Sequence, residues 1–285
     1  MKTVTIHGID SLIERMHFSA EIRKSMSSYI RCSFNHVSEL AAHAFDGTGM
    51  DLNICSYKAI DRLAALIFKL PDLYDKYLTA CTPEDIIYDT FDDIALRAGI
   101  YYEENGELGL SAEDSLWFRH INNVDIFKIG SIQFQLFEMV YLDKETLGES
   151  YMVFPETLKA LLPKGSPVIN CHIQANADLT PGAVDKSFSK AEEFFSRIYP
   201  TYEIFICYSW LLYPPMMEIF DMNSNIRHFT QQFNIVSAIP DNEQALENIR
   251  ADSWLRNIAS QMPSKFGYGC GIRTRTLLLD KSEKF

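Results

Sequence analysis

The chain lacks the short motifs that are typical of zinc, nucleotide and metalloprotease sites. Its six cysteines are widely and irregularly spaced, with no C-x-x-C pair, which indicates reduced and mostly buried thiols instead of a zinc site. There is no G-x-x-x-x-G-K-[ST] loop, no H-E-x-x-H helix and no G-x-G-x-x-G turn. The sequence therefore gives no reason to expect a metal or a dinucleotide.

Long hydrophobic runs are also lacking. The longest, Ile204 to Tyr213, is about half of the roughly 20 residues that a membrane helix needs, and Pro214-Pro215 ends it. The first ten residues contain no apolar stretch of the kind found in signal peptides. We therefore expect no membrane span and a cytoplasmic location.

Basic residues are in deficit, and the deficit is uneven. The formal net charge is −12, and residues 1–115 carry 19 acidic against 10 basic side chains, leaving 19 against 16 for the remainder. No cluster of Lys and Arg occurs anywhere in the sequence. Nucleic acid is disfavoured as a partner, because its binding requires a concentrated basic surface.

The first part of the chain has the apolar periodicity of amphipathic helices. Apolar residues recur every three or four positions over residues 11–44 and again over residues 57–81, with a possible interruption at Pro71. The clearest helix is predicted from Thr82 as the N-cap and Pro83 as the first residue to Gly99 as the terminator. We interpret residues 1–115 as a helical N-terminal domain.

Strand patterns dominate residues 116–285, which we interpret as a second domain. The predicted strands are Val124 to Gly130, Ser131 to Leu142, Val168 to Ile173, Tyr202 to Leu212, Arg227 to Val236 and Tyr268 to Leu279. Helices are predicted at Pro181 to Ile198 and Glu243 to Ser260. The fold class is thus α+β, a helical bundle followed by a mixed sheet with covering helices.

The most informative segment joins the strand at 168–173 to the helix at 181–198 through a short polar loop. Thr180 is the expected N-cap and Pro181 the first helical residue. A helix start that is left open attracts anions through its free amides, and Gly182 would let a phosphate approach closely. With the strand at 202–212 this segment forms a βαβ unit, whose ligands sit at the carboxyl ends of the strands.

Several segments resemble one family. They are Trp117-Phe-Arg-His, Phe127-Lys-Ile-Gly-Ser-Ile-Gln-Phe, His172-Ile, Leu179-Thr-Pro-Gly-Ala-Val, Cys207-Tyr-Ser-Trp-Leu-Leu and Ser224-Asn-Ile-Arg-His-Phe. They resemble a bacterial family of acyltransferase-domain proteins, in which a helical domain precedes a GNAT-like C-terminal domain. The likeness extends over essentially the whole chain and is most specific over residues 117–236.

The resemblance implies an N-acyltransferase that uses acetyl-CoA or another acyl-CoA as co-substrate and needs no metal. The acceptor would be a small-molecule or peptide amine, and the oligomeric state stays open. Residues matching the pyrophosphate loop of GNAT proteins are Ile173, Gln174, Ala175, Thr180, Gly182 and Ala183. The loop departs from the usual Gln/Arg-x-x-Gly-x-Gly/Ala pattern, because Ala175, Asn176 and Ala177 follow Gln174.

In GNAT proteins the thioester lies where the fourth and fifth strands diverge, which directs attention to three side chains. By strand alternation His172 and Tyr208 could flank that gap, as base and acid respectively. Glu138 is a third candidate, as a carboxylate base from the sheet. The alternative for each is structural: a hydrogen-bonded core histidine, a packed tyrosine and an exposed strand glutamate.

Other interpretations stay open. The chain could be a GNAT scaffold without catalysis that binds a ligand or a protein, or an interaction protein whose acidic helical part is functional. Phe266-Gly-Tyr-Gly-Cys-Gly271 could form a turn, a bulge or a loop over a ligand, and Arg273 and Arg275 could meet a phosphate or be solvated. His120 and His228 could contact a ligand or have surface and capping roles.

Overall fold

The computed structural model describes residues 4–249 and 253–274 and divides the chain into two compact units, Met1–Lys128 and Ile129–Phe285. No helix in these described ranges is long and apolar enough to cross a membrane.

The first unit is built from helices and one short hairpin. Its helices are α1 Ile6–Arg15, α2 Ala20–Cys32, α3 Phe34–His43, α4 Asn53–Ser56, α5 Ala59–Thr79, α6 Glu84–Asn105, α7 Ala112–Trp117 and α8 Arg119–Asn123, with β1 Gly47–Thr48 pairing with β2 Asp51–Leu52. Helix α5 is the centre of the unit, because it contacts α1, α2, α3 and α6. Its apolar residues over 63–73 are almost all buried. The predicted helical bundle is confirmed.

Helices α5 and α6 run further than the sequence signals predict. Pro71 lies inside α5 without ending it, and the N-cap of α6 is Pro83, not Thr82. Helix α6 also continues through Gly99 to Gly106, which takes the left-handed conformation at φ +69°. An interior glycine costs a helix only roughly 1 kcal/mol, so Gly99 does not end α6, whereas the left-handed Gly106 does.

The chain also contains a mixed sheet in the order β3-β4-β5-β6-β8-β7, of which β4 to β8 lie in the second unit. Its strands are β3 Ile126–Ile129, β4 Ile132–Glu138, β5 Pro167–His172, β6 Ile204–Ser209, β7 Asn234–Ile239 and β8 Tyr268–Thr274. The helices are α9 Lys144–Leu147, α10 Glu156–Leu161, α11 Pro181–Ile198, α12 Asn225–Thr230, α13 Asn242–Asn248 and α14 Trp254–Gln261. Strands β5 and β6 are parallel and α11 connects them, so the predicted βαβ unit is confirmed.

Each face of the central strands is covered by a different element. On one face α11 packs its phenylalanines against the sheet, with Phe188 and Phe195 both about 6 Å, ring to ring, from Phe134 and Phe205. On the other face lies the β4–β5 connection, residues 139–166. Its buried Met139, Tyr141, Met152, Phe154 and Leu162 form one cluster with Val168, Ile206, Cys270 and Ile272 of the strands.

Four predicted elements differ in the structure, the first being the strand predicted from Ser131 to Leu142, which ends at Glu138. The segment predicted as a strand from Arg227 to Val236 is instead α12 followed by β7, because the Ser224 hydroxyl caps the amide of Ile226 and starts a helix. The helix predicted at 243–260 is two helices, α13 and α14. The strand predicted to Leu212 ends at Ser209, and Trp210–Leu212 form a 3₁₀ turn. The predicted last strand is described to Thr274, so Arg275 lies outside the described residues.

Candidate functional site

The candidate site begins where β5 ends and the chain turns into α11. The amide of Ala177 donates to the carbonyl of Gln174 over 3.2 Å, which closes a tight turn. Asn176 takes the left-handed conformation in this turn, at φ +61°. A position of this kind favours glycine and tolerates asparagine, because a short polar side chain can satisfy itself locally. Asn176 occupies a variable position of the usual GNAT loop, and the departure is Ala177, whose amide closes this compact turn.

The first turn of α11 is open. Thr180 is its N-cap, but no side-chain cap hydrogen bond is formed by the described residues, and Pro181 occupies the first helical position. A Cβ built on Gly182 would meet no described atom within 4 Å. Asp178 accepts a hydrogen bond from the amide of Thr180 over 2.9 Å, which lowers the pKa of its carboxyl. The amides of Gly182 and Ala183 are left without a side-chain cap, and a helix start of this kind is able to bind an anion.

Gln174 contributes a buried donor at the start of the same loop. Its side chain is 5% exposed, and its Nε2 has no hydrogen-bond partner in the described part of the chain. Leaving such a donor unpaired costs about 1–3 kcal/mol, so native proteins rarely do so without a reason. A ligand oxygen at the loop would supply the missing acceptor.

The ladder between β5 and β6 stops next to this loop. The two strands pair at Ile169 with Phe205 and at Asn170 with Ile206, and the described residues form no later pair. Strand β5 nevertheless continues for two residues and β6 for three. We call the space between them beyond Asn170 and Ile206 the strand gap. It lies at the carboxyl ends of two parallel strands, where ligands of α/β folds bind.

His172 lies on β5 at the strand gap and is half-buried. Its Nε2 is 2.9 Å from Oε1 of Gln135 on the neighbouring β4. Since an amide oxygen only accepts, Nε2 is the donor in this contact. Gln135 was not singled out by the sequence analysis; the signal was there in the alternation of Gln133 and Gln135 along an otherwise apolar strand.

Tyr208 occupies the matching position on β6 and faces the same side of the sheet as His172, since the ladder pairs Ile206 with Asn170. Its hydroxyl donates to the carbonyl of Val140 in the β4–β5 connection, and its ring packs against the buried cluster there. Burial, and secondarily the nearby Cys270 thiol, raises the pKa of Tyr208. The phenol therefore keeps its proton at neutral pH.

Glu138 is placed away from the other two candidates. It is the exposed last residue of β4 and pairs with Pro167 at the start of β5, whereas His172 pairs with Gln133. Five residues of strand separate the two positions, which corresponds to about 17 Å. The backbone positions of His172 and Tyr208 lie at one end of the sheet and that of Glu138 at the other, whereas the hydroxyl of Tyr208 reaches Val140, two residues beyond Glu138.

The glycine-rich segment is part of strand β8, where its glycines make room for close packing. A Cβ on Gly269 would lie 2.4 Å from the carbonyl oxygen of Leu212, and one on Gly271 would lie 2.7 Å from Cβ of Phe233. Because these positions have no side chains, the 3₁₀ turn that follows β6 can pack directly on β8. This packing accounts for the glycines without a ligand.

Three further polar candidates have protein partners. Arg273 forms an ion pair with Glu192 of α11 at 2.8 Å, and His228 contacts Asp185 at 3.0 Å. His120 contacts Asp125 at 2.9 Å. Within residues 4–249 and 253–274, no group of three or more His, Cys, Asp or Glu side chains is arranged to hold a metal ion.

Residues 126–265 match the family model of the GNAT-like C-terminal domain. This part of the chain is a GNAT-like C-terminal domain. It follows the helical unit, as the resemblance in the sequence implied, and the match begins at the first residue of β3. A comparison with curated proteins finds no match.

Solved structures support the same fold over a larger part of the chain. Similar structures include an acyltransferase in complex with decanoyl-CoA and teicoplanin, at a TM-score of 0.65 and 14% identity, covering 93% of this chain and 86% of the other. An acyltransferase in complex with decanoyl-CoA gives a TM-score of 0.64 and 17% identity over the same shares. An acyltransferase mutant in complex with octanoyl-CoA gives 0.64 and 14%, covering 94% and 88%. The GNAT-like domain and the helices before it thus share one fold with these proteins.

Proposed function

We propose that the chain is an acyl-CoA-dependent N-acyltransferase that transfers an acetyl or another acyl group directly to an amine. One observation carries the proposal: the open first turn of α11 starts beside the strand gap. A helix start that can bind an anion, next to diverging parallel strands, fits a ligand such as CoA, in which a diphosphate is joined to the long, narrow pantetheine arm. The fold shared with acyltransferases that bind acyl-CoA supports the same assignment.

The loop residues have distinct roles in this proposal. The amides of Gly182 and Ala183 would hold the diphosphate of CoA, with Thr180 at the edge of the site, and Nε2 of Gln174 would donate to a ligand oxygen. Main-chain groups of Ile173 and Ala175 would accompany the pantetheine arm past the end of β5. Gly182 is exposed, and a Cβ there would meet no described atom within 4 Å, so the space next to it is open to a ligand; the carboxylate of Asp178, bonded to the Thr180 amide, borders the same helix start.

In the reaction, the acceptor amine attacks the thioester carbonyl, a C–N bond forms and the C–S bond breaks. His172 would take the proton that the amine loses, and Gln135 would orient its ring. The leaving thiolate requires a proton, and Tyr208 would provide it on exchanging the Val140 carbonyl for the sulfur. Burial raises the pKa of Tyr208, so the phenol keeps its proton at neutral pH but is a weaker acid than a free tyrosine; the basicity of the desolvated thiolate has to drive the transfer. Glu138, at the far end of β4, takes no part.

Direct transfer is favoured over a covalent acyl-cysteine intermediate. Cys171 and Cys207 lie at the strand gap, but both are buried, and burial raises the pKa of both thiols. A nucleophilic cysteine needs the opposite shift, toward the thiolate.

The acceptor is proposed to be a small-molecule amine. A similar acyltransferase structure contains teicoplanin together with decanoyl-CoA, which supports a small-molecule acceptor. A panel of amines, including peptide amines, tested for release of free CoA distinguishes the classes.

Titration calorimetry with CoA and acetyl-CoA tests the proposal. We expect binding in the micromolar range, and a loss of at least about tenfold in Gly182→Pro, since proline removes an amide while the first turn of a helix tolerates it. Thr157→Pro is the matched control, because it places proline at the second residue of α10, at an exposed position of the same unit. A flat titration of the wild-type chain with CoA and acetyl-CoA contradicts the proposal.

A scaffold that binds CoA without catalysis is the second candidate. It is favoured by the loop itself, where the amide of Ala177 is used in the turn with Gln174 and Ala replaces the usual glycine. The enzyme requires that His172→Ala lower turnover at least about tenfold with CoA binding unchanged. Binding of CoA with no thiol release over the whole amine panel supports the scaffold.

A further inference from the structure

We infer that the site takes a short acyl group, acetyl or close to it, and that the ring of Tyr208 sets this limit. The inference rests on the proposed function, because it concerns the acyl group of the CoA ester bound at the strand gap. It differs from what the similar structures would suggest, since these hold decanoyl-CoA and octanoyl-CoA.

A long acyl chain needs an apolar channel that starts at the thioester. From a thioester in the strand gap, a chain can turn toward either face of the sheet. The α11 face is closed at this point, because Cys171 is 1% exposed and Cys207 is fully buried. Beneath them Phe188, Phe195 and Phe205 pack edge to face. An acyl chain would have to displace these rings from a close-packed core.

The other face is closed by Tyr208 and the β4–β5 connection. The ring of Tyr208 starts two residues beyond the last pair of the β5–β6 ladder and points into the cluster that contains Met139, Tyr141 and Met152. These three side chains are 3% exposed or less. The hydrogen bond from the hydroxyl of Tyr208 to the carbonyl of Val140 ties the ring to the connection. The ring therefore lies across the route that a chain of several methylene groups would take.

The effect of the Tyr208 ring is measurable as a difference between the dissociation constants of acetyl-CoA and octanoyl-CoA. Octanoyl-CoA has six more methylene groups than acetyl-CoA, and burying them in an apolar channel would tighten binding by orders of magnitude. With both faces closed, this gain is lost. We expect the dissociation constant of octanoyl-CoA to equal or exceed that of acetyl-CoA for the wild-type chain.

The test is calorimetric titration of the full chain with CoA, acetyl-CoA and octanoyl-CoA. In Tyr208→Ala we expect the dissociation constant of octanoyl-CoA, relative to that of acetyl-CoA for the same variant, to fall at least about tenfold from the wild-type ratio. Tyr208→Phe keeps the ring and loses only the hydroxyl, so its ratio of the two constants stays that of the wild type. Tyr199→Ala, at the opposite end of α11 from Gly182, is the control for loss of a ring elsewhere in the unit.

The wild-type titrations decide the matter even where Tyr208→Ala does not fold. Octanoyl-CoA binding tenfold or more tightly than acetyl-CoA overturns the inference and leaves the proposed function standing. Absence of binding for CoA itself overturns the proposed function, and the inference with it. A folded Tyr208→Ala that gains no affinity for octanoyl-CoA relative to acetyl-CoA shows that the ring is not the barrier.

Discussion

At the scale of single residues, the glycines of β8 show how a pattern that suggests a ligand arises from packing alone. A methyl group at position 269 would lie 2.4 Å from the carbonyl oxygen of Leu212, and backbone cannot move aside cheaply. We expect Gly269→Ala to lower the free energy of unfolding by about 2–4 kcal/mol, in the range of severe overpacking. Urea denaturation followed by circular dichroism measures the change.

Gly99→Ala is the matched control for this substitution. Gly99 lies inside α6, and a Cβ there meets no described atom within 4 Å. Alanine should stabilise the protein by about 0.5–1 kcal/mol, because it is the better helix former and restricts the unfolded chain. If both alanine variants shift the denaturation midpoint in the same direction, close packing is not the reason for the glycine at 269.

At the scale of elements, α11 is fixed to the turn between β3 and β4 by one buried serine. The hydroxyl of Ser187 accepts a hydrogen bond from the amide of Ser131 over 2.9 Å and donates to the carbonyl of Ala183 over 2.7 Å. Ser187→Ala leaves the Ser131 amide without its acceptor, which should cost about 1–3 kcal/mol of unfolding free energy. Because Ser189 is exposed on the same helix, Ser189→Ala should change the denaturation midpoint little; an equal loss in both variants contradicts the role assigned to Ser187.

The elements that were predicted well are those with local signals at both ends. Helix α11 follows directly from Thr180, Pro181 and its apolar spacing, and β5 and β6 from short apolar runs. The missed helix α12 has a local cap at Ser224, but its packing also depends on a distant partner. The hydroxyl of Thr230 in α12 donates to the carbonyls of Ile226 and Leu211, and the second of these contacts cannot be seen in local periodicity.

The features of the candidate site also fall into two groups, those that the local sequence predicts and those that depend on distant contacts. The open start of α11 could be predicted, because capping and the glycine at 182 are local features of the sequence. The bond between His172 and Gln135 could not, because it depends on the register of β4 against β5. Alternation placed Tyr208 on the correct face, but its contact with Val140 depends on how the β4–β5 connection crosses the sheet.

At the scale of the whole molecule, buried tyrosines make stability depend on alkaline pH. Burial, and next the hydrogen bond to Asp61, raises the pKa of Tyr29 to about 12. Burial also raises the pKa of Tyr141 to about 12 and that of Tyr208 and Tyr268 further. In the unfolded chain these phenols ionise near pH 10, so above that pH the native state binds more protons than the unfolded state.

The sign of the effect follows from that difference. Since the unfolded state binds fewer protons above about pH 10, the free energy of unfolding falls as pH rises from there through about 12 and beyond. Burial lowers the pKa of Lys69, so this residue by itself makes the free energy of unfolding rise with pH. It is one group, however, and the phenols with a raised pKa are several. We expect a lower urea midpoint at pH 11 than at pH 9, and absorbance of tyrosinate near 295 nm that appears together with unfolding. Tyr208→Phe removes one phenol whose pKa is raised, so the urea midpoint should fall less between pH 9 and pH 11 than it does in the wild type. A midpoint that stays constant or rises between these two pH values would show that the phenols ionise in the folded protein at their ordinary pKa.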